Sequence, residues 1–169
     1  LHMDSLMGKM SPKSIRSALA LLLSTSKSYD SAYYDAMTRI EGQTSDQRHL
    51  AKQVLAWITF AKRQLSTVEL QHALGVEVGE SEMDVDNLPD FQDMISVCAG
   101  LVTIDEQSDI VRLVHYTTTV FLQQTRTRWF LDADYDIAQT CLTYLSFDSF
   151  QTGPCSTEQE FKVRLNDFP

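Results

Sequence analysis

Residues 95–117 read ISVCAGLVTIDEQSDIVRLVHYT, and inside this stretch the apolar period changes from helical to extended. Leu101, Val102, Thr103 and Ile104 form one β-rich run, and Ile110, Val111, Arg112, Leu113 and Val114 form a second. Such residues suit a pleated, half-buried surface. Between the runs stand Asp105, Glu106, Gln107, Ser108 and Asp109, a polar loop of a length that closes a hairpin. Gly100 ends what comes before, and a helical pattern resumes from Thr117 to about Thr125.

Working outward towards the N-terminus, three helices precede the hairpin. One starts at Asn87 to Pro89, turns Phe91, Met94, Ile95 and Cys98 inward and stops at Gly100. Before it, Ser66 and Glu69 have capping-box spacing, and Val68, Leu70 and Leu74 carry a short helix to Gly75. Earlier still, Thr44 and Gln47 repeat that spacing ahead of Leu50, Val54, Leu55, Ile58 and Phe60, which predicts an amphipathic helix to about Lys62 and a four-residue turn after it. Helix, turn, helix, helix and hairpin is the order of a winged helix. The fold class expected is mainly α with a small β-hairpin, a winged helix with flanking helices.

The flanks also read as helical. Leu1, Met3, Leu6 and Met7 suggest one short helix, and Ser11 with Pro12 opens another through Ile15, Leu19, Leu22 and Leu23, halted by the serines from Ser24 to Ser28. Tyr33, Ala36, Met37 and Ile40 line a third, closed at Gly42. On the other side, Asp132 to Leu145 is helical, and Ser156 with Gln159 marks a last capping box. Segments 1–43, 44–127 and 128–169 follow as a leading helical linker, the winged helix and the start of a C-terminal helical region. Leu1 in the place of an initiator Met, and Pro169 within a helical pattern, read as a piece of something larger.

Composition narrows the function. The 169 residues hold 14 Lys and Arg against 23 Asp and Glu, a formal charge of −9. From Gln64 to Val111 there is no Lys or Arg, while acids run from Glu69 to Asp109. Duplex binding typically draws on roughly 6–10 phosphate contacts from basic groups, and the helix that would enter the major groove offers Asp90 and Asp93 instead. Nucleic acid is therefore disfavoured as a partner, and protein contact is favoured. No GxxxxGK[ST], GxGxxG or GxSxG occurs, so neither a nucleotide site nor a hydrolase elbow is expected within the chain, and it is read as non-catalytic and without its own cofactor. Cys98, Cys141 and Cys155 lack metal-ligand or disulfide spacing. The longest apolar run, Ala18 to Leu23, falls far short of the roughly 20 residues that span a bilayer. A cytoplasmic setting without membrane partners is the expectation.

His115 ends the second strand and precedes Tyr116, Thr117, Thr118, Thr119, Val120 and Phe121. Taken from its position alone, a His at a strand-to-helix junction is foremost a structural hydrogen-bonder. Four blocks, however, Leu50 to Ile58, Leu65 to Leu74, Asp93 to Val102 and Val111 to Thr117, together resemble the GPI inositol-deacylase type of winged helix found in fungal NACHT signalling NTPases of the STAND class, which often carry ankyrin repeats. The resemblance covers the chain from about Leu1 to Pro169. It implies a P-loop NTPase module before this segment, repeats after it, and a winged helix that lies on the nucleotide-binding module as a lid and relays its state. It also implies that His115 contacts the phosphate of ADP held by that module, where ADP, ATP or GTP would be the ligand. The associated pattern is His-x-Ser/Thr-x-Gln-Glu-aromatic; this chain keeps His115, Thr117 and Phe121 and has Thr119 and Val120 where Gln and Glu are usual. Alternative readings are a stand-alone protein–protein interaction module and a DNA-binding regulator, the latter opposed by the acidity.

Overall fold

The computed structural model describes residues 11–105 and 107–168. The expected helix at Leu1 to Met7 lies outside them. The described residues form eight α-helices, two single-turn 3-10 helices (Val85–Asn87 and Asp148–Phe150) and one two-stranded sheet: α1 Pro12–Glu41, α2 Ser45–Phe60, α3 Thr67–Gly75, α4 Phe91–Ser96, β1 Val102–Asp105, β2 Ile110–Leu113, α5 Tyr116–Gln124, α6 Arg126–Trp129, α7 Ala133–Leu145 and α8 Glu158–Asp167. This is the winged-helix order, α2, α3 and α4 followed by the hairpin, with helices on both sides.

α1 is one unbroken helix of 30 residues, about 45 Å long, where the serines were expected to divide it. Serine costs a helix only a few tenths of a kcal/mol per residue, and neither Pro nor Gly interrupts the stretch. The side chains of Ile15, Leu19, Leu22 and Leu23 lie outside the described residues. Near its C-terminus Tyr33, Ala36, Met37 and Ile40 recur at one face and are buried. The Gly42 amide then closes the helix by bonding to the carbonyls of Thr38 and Arg39.

The three expected capping boxes behave differently. Ser66 Oγ accepts from the Glu69 amide at 3.2 Å while Glu69 Oε2 accepts from the Ser66 amide at 2.9 Å, the reciprocal arrangement that starts α3. Thr44 caps nothing through its side chain; its hydroxyl turns to Gln47 Oε1 at 3.0 Å. α2 ends at Phe60 rather than Lys62, so six residues, 61–66, and not four, separate it from α3. The last cap is shifted by one residue: Thr157, not Ser156, accepts from the Glu160 amide at 3.1 Å.

β1 and β2 pair antiparallel, Val102 opposite Leu113 and Asp105 opposite Ile110. The helix–helix turn adds a third short pairing, with an isolated bridge between Ser66 and Ile110 and the Val111 amide bonded to the Leu65 carbonyl at 3.2 Å. The wing is thereby sewn to the start of α3. Asp109 takes part directly: its carbonyl accepts from the Thr67 amide at 2.9 Å, and its Oδ2 accepts from the Thr67 hydroxyl at 2.6 Å. Its backbone is left-handed, φ 54°, a conformation Asp tolerates better than most residues.

One apolar core runs through the molecule. Met37 and Ile40 of α1, Val54 and Leu55 of α2, Leu70 of α3, Met94 of α4, Val102 and Val111 of the wing and Phe121 and Leu122 of α5 are buried together, and Phe130 and Ala133 from beyond residue 127 join them. Cys98, also in this core, donates to the Met94 carbonyl at 3.1 Å, and burial pushes its thiol pKa up to about 12. A second cluster of rings, Tyr144, Phe147, Phe150 and Phe168, ties α7 to the end of α8.

Candidate functional site

β2 stops at Leu113, and the Val114 amide still reaches across to the Leu101 carbonyl at 3.0 Å. His115 is the last extended residue, φ −151° and ψ 148°, and it is the N-cap of α5. Its Nδ1 accepts from the Thr117 amide at 3.3 Å and lies 2.7 Å from the Thr117 hydroxyl. A ring nitrogen that accepts from a backbone N–H is unprotonated, so the tautomer carries its hydrogen on Nε2. Tyr33 Oη stands 2.6 Å from Thr117 Oγ1, and the consistent direction of donation runs from Tyr33 to Thr117 to His115. α1 thereby orients a ring at the end of the wing.

The imidazole is exposed and flanked by two rings: Tyr29 is stacked on it at 6.5 Å between centroids and 25° between planes, and Tyr116 lies at 4.6 Å and 38°. Its position is thus set by a cap, a relay of two hydroxyls and an aromatic pair, with Nε2–H as the remaining donor. Phe121, the aromatic of the pattern, is buried against Tyr33 and edge-on to Tyr34. Its service is to the core. Val120 is 43% exposed.

His115 borders a cleft of about 250 Å³ that also takes in Arg63, Gln64, Arg112, Tyr116 and Thr119. Arg63 is held by a two-pronged ion pair to Glu69, at 2.7 and 2.8 Å, and Arg112 by Asp105 at 3.1 Å. The Arg63 hydrogen bonds hold the Glu69 carboxyl below its usual pKa. Asp105 is lowered as well, first through the amides of Gln107 and Ser108 that its side chain caps. Arg63 and Arg112 line the cleft; Glu69 and Asp105 are not among its lining residues. The fold therefore brings Arg63 and Arg112, each with its own carboxylate partner, to the cleft that His115 borders, and guanidiniums are suited to oxyanions.

Sequence reasoning missed Arg63 and Arg112. The signal was present, since these two residues bracket the cation-free run from Gln64 to Val111, and the hairpin brings its two ends together. The acids of α4 and its cap remain on the surface: Asp90 and Asp93 are exposed, with Met94 turned inward. Asp105 and Asp109 of the polar loop are occupied in the wing's own bonds. Among the described residues no helix is long and apolar enough to cross a membrane.

Residues 34–152, more than half of the chain, match the family model described as GPI inositol-deacylase, winged helix domain. No curated protein and no solved structure matches the chain.

Proposed function

The chain belongs to the GPI inositol-deacylase winged-helix family, and from that premise we propose that it is a non-catalytic regulatory and relay domain of a NACHT-type signalling NTPase. In this reading it lies on the nucleotide-binding module and couples that module's state to C-terminal repeats such as ankyrin repeats. The deacylase of the family's description carries no implication of ester chemistry here, since no GxSxG elbow is present in the chain.

The observation that carries the proposal is the seating of the His115 ring, whose Nδ1 accepts from the Thr117 amide. With Nδ1 committed to Thr117, Nε2–H is a pre-oriented donor on an exposed ring, and Arg63 and Arg112 line the same cleft. A hydrogen bond from such a donor to a phosphate oxygen is worth about 1.5–3 kcal/mol. It closes the lid over ADP, and the closed-to-open ratio changes by about ten- to a hundred-fold when it is lost. Thr119 and Val120, where Gln and Glu are usual in the resembled pattern, leave His115 and the two arginines to make the anion contact.

The test is ADP release from the full-length parent with His115→Asn and His115→Ala. Asn keeps an oxygen for the cap and removes the Nε2 donor, so both variants release ADP about ten-fold faster or more if the donor matters. Release at the wild-type rate from both removes His115 from the mechanism. Fast release from Ala alone assigns its role to capping α5.

A further inference from the structure

α7 is apolar on two sides. Ala133 and Ile137 face the core. On the opposite side Tyr135, Leu142 and Leu145 are 67%, 67% and 68% exposed. With Ala138, also exposed, they fall at steps of three, four and three residues. Leu131, 70% exposed, extends the series by four residues just before the helix begins. At the α-helical turn angle these positions share an arc of roughly 80°, and from Tyr135 to Leu145 the seam is about 15 Å long. It is the spacing of a helix-pairing seam. A helix apolar on both sides belongs to an interior, and contiguous exposed apolar side chains mark an interaction surface.

The seam is flanked by the acids Asp132, Asp134 and Asp136, and from Phe130 to Phe161 the chain has no Lys or Arg. Arg126 answers Asp134 at 2.6 Å, while Asp132 and Asp136 stand exposed along the helix. We propose that the outer seam of α7 is the docking surface for an amphipathic helix whose apolar heptad stripe is flanked by Lys or Arg. A second copy of the chain is a poor occupant, because two chains of charge −9 would set acidic rim against acidic rim, and like charges beside a helical seam oppose pairing. The proposal uses no contact of His115, so it stands or falls apart from the lid reading.

Two synthetic helical peptides with the same Leu stripe, one flanked by Lys and one by Glu, distinguish the outcomes when titrated by fluorescence anisotropy into the 169-residue chain. The Lys-flanked peptide is expected to bind at least ten-fold more tightly than the Glu-flanked one. The double substitution Leu142→Asp and Leu145→Asp, at exposed positions that leave the circular dichroism unchanged, is expected to remove at least ten-fold of that affinity. Equal binding of the Lys peptide to the wild type and the double variant would show mere attraction to an acidic protein and overturn the proposal. Absence of binding by either peptide overturns it too, as does a wild-type dimer in sedimentation that the double variant dissolves.

Discussion

His72 of α3 lies partly inside the protein with Nδ1 buried and without a hydrogen-bond partner among the described residues, and burial lowers its pKa from the ordinary 6.5. The unfolded chain then takes up a proton that the folded chain resists, so this contribution to stability is complete above about pH 6.5 and is lost as pH falls through the folded pKa. Thermal midpoints measured from pH 7 down to pH 5 are expected to fall less steeply in His72→Gln than in the wild type. An identical slope would mean that His72 does not carry the effect. His115 shows how far a residue's place is legible in sequence. Its position at the end of the wing follows from the strand pattern, but the bond from Tyr33 to Thr117 joins residues 84 apart. Only the packing of α1 against α5 produces it.

At the scale of elements, the order of helices and hairpin was legible because apolar period and Gly placement act locally. Caps were less so. Ser66–Glu69 and Thr44–Gln47 have the same spacing, yet only the first forms the reciprocal bonds. At the second, the Gln side chain accepts from the Thr hydroxyl itself, which leaves the backbone donors to other partners. Ser66→Ala is therefore expected to cost about 1 kcal/mol in chemical denaturation, and Thr44→Ala to stay within about 0.5 kcal/mol of the wild type. Equal losses would contradict the distinction. The Ser66–Ile110 bridge and the Asp109 staple had no sequence signal, because an isolated bridge depends on where the wing lands.

Across the whole molecule, one core draws side chains from the leading helix, the winged helix and the segment after it. Met37→Ala in α1 and Leu122→Ala in α5, both fully buried, are each expected to cost about 2–5 kcal/mol. A single transition should result, coincident by circular dichroism and by the fluorescence of Trp57 and Trp129. Two separated transitions would show that the flanking helices fold apart from the wing. Net acidity was readable by counting; the cleft of Arg63, Arg112 and His115 was hidden because its parts meet only when the hairpin closes. The relay reading turns on that meeting point. Hydrogen exchange at the amides of Tyr116 to Val120 in the full-length parent, with and without ADP, tests it most directly: the account predicts slower exchange with ADP bound, and identical exchange in the two states would contradict it.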